Sequence, residues 1–207
     1  MIYTLYYVHD PMCSWCYAFK PTLDELRKKL NSNIKIINVV GGLAKHSNEV
    51  MPKDVQEKIE NIWYEIKRVV GTKFNHDFWK KCIPRRSTYL ACQATILARY
   101  ENKEDEMIEA IQNAYYLNAQ NPSDASTLIM LAKQIGMDEK KFEEDLKSDK
   151  IEEDLQYELN FRRSLNVKNF PSLILKYKKE LYPINIKYND YKSMLEQIND
   201  MVENSYF

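Results

Sequence analysis

Two cysteines, Cys13 and Cys16, stand on either side of Ser14 and Trp15, just after the first apolar segment of the 207-residue chain. Cysteines at this spacing, placed at the start of a helix, can alternate between a dithiol and a disulfide. A helix N-terminus carries unpaired backbone N–H groups and roughly half a unit of positive charge. A thiolate placed there is stabilised, and its pKa falls below the free value of about 8.5. The expectation is that Cys13 sits at that end and faces solvent. Cys16, about one turn further in, is expected to be more buried. Cys13 then attacks a disulfide, or is attacked when oxidised, and Cys16 resolves the mixed disulfide.

The elements that must hold these sulfurs follow from periodicity. Ile2 to Val8 is β-branched and aromatic, which favours a strand. Phe19, Leu23, Leu26 and Leu30 then share one helical face, and Asn31-Ser32-Asn33 ends the helix. Ile34 to Val40 is a short apolar run that suits a buried parallel strand, so the chain opens with a βαβ unit. Asp10-Pro11 imposes an extended or turning entry to the dithiol, and Pro21 deletes a backbone bond one turn beyond it.

Gly41-Gly42 breaks the pattern, and helical spacing takes over. One helix carries Val55, Ile59, Ile62, Trp63, Ile66 and Val70. Others carry Leu90 to Ala98, Met107 to Tyr115, and Leu128 to Ile135, the last ended by Gly136. Two shorter ones hold Phe142 with Leu146, and Ile151 with Leu155 and Leu159. Strand character returns at Ser172 to Tyr177. A turn at Lys178-Lys179-Glu180 and a strand over Leu181 to Lys187 follow, and Pro183 marks that strand as an edge. A final helix buries Tyr191, Met194, Leu195, Ile198 and Val202. The two ends thus supply one small sheet, with helices inserted between its halves.

The cysteines admit other readings. A lone CxxC could be half of a zinc site, but zinc needs four ligands. Cys82 and Cys92 are too far apart for a second knuckle, and His9, His46 and His76 are scattered, so no metal is expected. Cys92 lies in an apolar helix and reads as a small core residue. A disulfide between Cys82 and Cys92 stays open, because sequence separation does not set Cα distance. Arg85-Arg86 could hold an acidic group, though a solvated turn is the plainer reading. Trp15 suits partial exposure beside the reactive sulfur, and Trp63 and Trp79 suit the core.

Lysine plus arginine and aspartate plus glutamate both total 30, so the chain has no basic excess to draw nucleic acid or an acidic membrane. Its apolar runs are too short to span a bilayer. Met1 to Val8 has neither a basic leader nor a small-residue cleavage site, and four cysteines are too few for a disulfide scaffold. The cytoplasm is the expected compartment.

Asp10-Pro11-Met12-Cys13-Ser14-Trp15-Cys16, Gly41-Gly42-Leu43, the Ser87–Leu97 helix with Ala91-Cys92, and Val167-Lys168-Asn169-Phe170-Pro171-Ser172-Leu173 stand in an order that resembles the DsbA-like branch of the thioredoxin superfamily. Within that branch it resembles the FrnE-like proteins. The resemblance implies an α/β, thioredoxin-like fold (βαβ…ββα) with an inserted α-helical domain. Residues 1–45 and 166–207 would form the first part and 46–165 the insertion.

It further implies thiol–disulfide oxidoreductase or isomerase activity on protein or peptide thiols and disulfides. Cys13 is then the nucleophile, Cys16 the resolving thiol and Pro171 a cis-proline facing them. Ser14, Trp15 and Phe170 are expected to touch substrate. Taken alone, only ~5% of X–Pro bonds are cis, and a trans proline opening a strand is the other reading. A cis bond there leaves the preceding backbone free to pair with an extended substrate. No cofactor is implied beyond the Cys13–Cys16 disulfide, with glutathione open as a redox partner and the electron donor or acceptor unidentified.

Periplasmic DsbA proteins carry a histidine between the cysteines. This chain has Ser14-Trp15, which leaves the direction of exchange open. The superfamily also holds kappa-class glutathione transferases and 2-hydroxychromene-2-carboxylate isomerases, which use a serine and glutathione. The presence of both Cys13 and Cys16 argues against that alternative. A non-catalytic binding scaffold is the third reading.

Overall fold

Tyr3–His9 forms the central strand β1, with side chains alternating between two apolar faces. The computed structural model of the chain describes residues 3–204, so Ile2, expected in this strand, lies outside the described residues. Helix α1 (Ser14–Lys29) leads to β2 (Ile34–Val40), which pairs parallel with β1 from Tyr3 opposite Ile34 to His9 opposite Val40. Six of the next seven helices match the spacing read from the sequence: α2 (Lys53–Val70), α4 (Tyr89–Tyr100), α5 (Glu104–Tyr116), α6 (Ala125–Gln134), α7 (Glu139–Leu146) and α8 (Asp149–Ser164). The short α3 (Phe78–Lys81) was not expected, since four residues carry too little periodicity to read. Gly71 closes α2 at φ 86°, a left-handed cap that glycine adopts without a Cβ penalty.

Strand β3 (Ser172–Tyr177) returns antiparallel to β1, and β4 (Glu180–Ile184) pairs antiparallel with β3. The sheet order is β2-β1-β3-β4, so Pro183 lies on an edge strand, where its missing N–H costs no ladder bond. Strand β4 ends at Ile184, short of the expected Lys187. The Asn185 N–H turns instead to Gln197 Oε1, at 3.0 Å, on the last helix, α9 (Tyr191–Asn204). The fold is thus a mixed α/β, thioredoxin-like sheet with helices between β2 and β3.

Tyr3, Leu5 and Tyr7 pack one sheet face on Phe19, Leu23 and Leu26 of α1 and Met194 and Ile198 of α9. Tyr6, Val8 and Ile174 pack the opposite face with Leu165 and Val167, beyond α8. The helices hold their own core around the fully buried Trp63, ringed by Phe74, Phe78, Trp79, Tyr115 and Tyr116. Met12 and Val40 join this helical core, which ties it to the loop before the dithiol and to the end of β2. Among the described residues no helix is long and apolar enough to cross a membrane.

Candidate active site

The dithiol loop is organised by a buried carboxylate. Asp10 follows β1 with no exposed surface. Its side chain accepts hydrogen bonds from Met12 N at 2.8 Å, Leu43 N at 2.6 Å and the Thr88 hydroxyl at 2.7 Å, with the Cys92 thiol at 3.6 Å. Burial pushes the Asp10 carboxyl up, and the Leu43, Thr88 and Met12 donors oppose that shift. The Asp10 carbonyl accepts from Cys13 N at 3.0 Å, and the Met12 carbonyl accepts from the Tyr116 hydroxyl at 2.6 Å. Both ends of the turn are therefore pinned before α1 begins.

Cys13 is the N-cap of α1, with φ −82° and ψ 118°. Its sulfur takes the place of the usual cap oxygen and accepts from Cys16 N at 3.4 Å. On its other side Cys13 Sγ lies 3.8 Å from the Phe170 carbonyl oxygen. Cys13 is only 7% exposed, which corrects the expectation that it faces solvent. The Phe170 segment and residues between β2 and β3 wall in the helix start, so the sulfur is reached through a groove. Cys16 is fully buried, and burial first, then the adjacent Cys13, pushes its thiol well up.

The Phe170–Pro171 peptide bond is cis, and Pro171 is buried at the start of β3. The Arg162 guanidinium stands over the Phe170 ring, 5.6 Å from its centroid. Ser14 and Trp15 are half-buried, and the Trp15 ring rests 4.9 Å from that of Tyr188. Cys13, Ser14, Trp15 and Phe170 line one groove of about 310 Å³, with Met51 and Trp63 on the facing helical side. The structure brings these four residues to one groove.

A thioredoxin family model matches residues 6–197. The chain belongs to the thioredoxin family. Among curated relatives, the ClpXP adapter protein SpxH of Halalkalibacterium halodurans is 24% identical over 176 residues, 82% of this chain and 57% of that protein. The chain thus spans less than two thirds of that relative's length. A Nitrosomonas europaea structure described as a candidate protein disulfide isomerase superposes with a TM-score of 0.86, at 20% identity over 99% of both chains. The cytosolic disulfide reductase DsbM from Pseudomonas aeruginosa superposes with a TM-score of 0.74, at 18% identity over 98% of both chains. These structural likenesses are of fold.

Sequence reasoning missed the buried polar support of this thioredoxin-family site. In the sequence Asp10 is legible only as part of a turning entry and of the motif around Cys13. Thr88 and Tyr116 carried no signal, being single polar groups at helix ends. Cys92 is buried in the core, with its thiol directed at Asp10. Cys82 is half-buried, with its thiol 3.0 Å from the Ala119 carbonyl. Both are free thiols, so no disulfide links them. Arg85 is no simple solvated turn residue: it is half-buried and ion-paired to Asp124, and Arg86 beside it is exposed. Chemically, the site offers one sulfur on the wall of a groove and a second sealed behind it.

Proposed function

We propose that this chain is a thiol–disulfide oxidoreductase acting on protein or peptide disulfides through Cys13 and Cys16. The observation that carries the reading is the position of Cys13 Sγ, at a helix N-cap and 3.8 Å from the Phe170 carbonyl, on the wall of a groove. In reduction, the Cys13 thiolate attacks one substrate sulfur. A Cys13–substrate disulfide forms, and the other half leaves as a thiolate that takes up a proton. Cys16 then loses its proton and attacks Cys13 Sγ. The remaining substrate thiol is released, and two electrons have passed from dithiol to substrate. A thiol reductant regenerates the pair, and glutathione is one candidate. Isomerisation uses the same first step, and oxidation runs the sequence backwards.

The environment of Cys16 suits this order. Beyond burial, its thiol is held protonated by its hydrogen bond with Cys13 and by the Cys13 charge. Both influences end once Cys13 is tied into a mixed disulfide, so Cys16 ionises more easily at the step that needs it. Ser14, Trp15 and Phe170 are the proposed substrate contacts, and Pro171 shapes the wall beside Cys13. We assign residues 1–45 and 166–207 to the thioredoxin-like part and 46–165 to the inserted helical part. The name of the DsbM neighbour supports the cytoplasm as the compartment.

The test is a pair of variants. Cys13→Ala should abolish exchange with a protein disulfide. Cys16→Ala should accumulate substrate adducts on Cys13, visible by intact mass. Exchange that persists without Cys13 would overturn the assignment.

A second reading, a protein-binding adapter, is favoured by the likeness to a relative named as a ClpXP adapter. It predicts partner capture that is unchanged in Cys13→Ala. The reduction potential in a glutathione buffer sets the direction: about −250 mV or lower marks a reductant, and above about −180 mV an oxidase or isomerase.

A further inference from the structure

The groove beside Cys13 carries charge of one sign. Arg85, Arg86 and Lys168 line it, and no carboxylate does, in a chain whose 30 cations and 30 anions balance overall. Asp10, whose carboxylate accepts from the lining residue Thr88, is fully buried and already engaged by its donors. Arg85 is neutralised by Asp124. Arg86 and Lys168 are exposed and make no ion pair or hydrogen bond among the described residues. They come from different segments: Arg86 from the stretch between α3 and α4, Lys168 from the loop before the Phe170–Pro171 bond. Two unpaired cations thus face the opening through which Cys13 is reached.

The rim indicates the size of the partner. Leu43 is 42% exposed, Val50 60% and Ile83 62%. Leu43 lines the groove, Val50 adjoins the lining residue Met51, and Val50 forms an isolated antiparallel bridge with the lining residue Arg85, two positions beyond Ile83. Apolar side chains at the edge of a site are covered by a partner larger than the site itself.

We propose that this groove selects polypeptide disulfides whose cysteine is flanked by acidic residues, with Arg86 and Lys168 as the specificity-determining cations. The inference rests on the oxidoreductase reading and names its substrate class. Charges at a partly exposed rim act mainly through capture and are screened by salt. Two such pairs should favour an acidic over a basic flank about fivefold to tenfold at low ionic strength.

The test uses symmetrical disulfides of three short peptides, identical except that the cysteine is flanked by Asp, Ser or Lys. The reduced protein is mixed with each, and the second-order exchange rate is read at low and high NaCl. Intrinsic reactivity of the peptides cancels when wild type is compared with Arg86→Glu/Lys168→Glu. The Asp-to-Lys rate ratio should fall at least tenfold from wild type to that variant. It should move to an intermediate value in Arg86→Gln/Lys168→Gln, and high salt should collapse it in wild type. A ratio that is the same in wild type and both variants, or indifferent to salt, overturns the proposal. A faster rate with oxidised glutathione than with the Asp peptide overturns the polypeptide assignment in favour of a small carboxylate-bearing disulfide. Failure to exchange with the Ser peptide would instead count against the oxidoreductase reading itself.

Discussion

The ring of Phe170 occupies the space that a side chain at position 41 would fill: a Cβ on Gly41 would stand 2.3 Å from it. The end of β2 and the segment before Pro171 are thereby in direct contact, and the same Phe170 presents its carbonyl to Cys13. A glycine at the end of a strand thus sets where one wall of the groove can sit.

Gly41→Ala should therefore displace the Phe170 ring and slow exchange at Cys13. Overpacking of this kind costs about 1–3 kcal/mol. In a Phe170→Ala background the same change should cost well under half as much, because the obstructing ring is gone. Denaturant unfolding of the two singles and the double closes the cycle. Strictly additive costs would show that the two positions do not interact.

Asp10 should be the most sensitive polar position. Asp10→Asn keeps one acceptor but turns an N–H₂ toward either the Met12 N–H or the Leu43 N–H and Thr88 hydroxyl. The expected loss is about 2–4 kcal/mol in unfolding free energy, with the denaturant slope unchanged. Burial raises the folded pKa of Asp10 above its ordinary 3.8. Its titration therefore favours the fold at low pH, and that gain is lost as pH rises through the raised value. The deficit of the variant should widen on acidification toward 3.8 and be flat well above the raised pKa.

His9 should make the fold acid-sensitive in the opposite sense. It is fully buried, stacks on Tyr7 with ring centroids 4.9 Å apart, and neither ring nitrogen has a hydrogen-bond partner among the described residues. Burial, followed by the nearby Arg27 and Arg99, lowers its pKa from 6.5 to about 3. The unfolded chain then takes up a proton across that window that the folded chain refuses. Stability is full above 6.5 and should fall by up to about 1.4 kcal/mol per pH unit below it. His9→Phe keeps the stack and should lose this slope, as read from urea midpoints between pH 7 and 4. A variant that retains the wild-type slope would assign it to other groups.

Tyr116→Phe removes the hydroxyl that holds the Met12 carbonyl while leaving the ring stacked on Tyr17 at 4.5 Å. A buried carbonyl left without its donor costs about 1–3 kcal/mol. Because that carbonyl belongs to the residue before Cys13, the alkylation rate of Cys13 should also change. An unaltered rate alongside the stability loss would confine Tyr116 to the helical core.

Much of this protein is legible from its sequence because strand and helix patterns are local. Alternation marks β1, a helical stripe of Phe19, Leu23 and Leu26 marks α1, and Pro183 marks an edge, each from neighbours within a few residues. The same locality makes the Cys13–Cys16 pair visible at a helix start. Burial and hydrogen-bond satisfaction are not local. Asp10 meets Thr88 across 78 positions, and Cys13 meets Phe170 across 157. The burial of Cys13, the seating of Phe170 on Gly41 and the unpaired cations at the groove depend on which distant elements pack together. No repeating pattern along the chain encodes those neighbours, so the sequence determined the sulfurs and their helix, and only the tertiary structure decided what surrounds them.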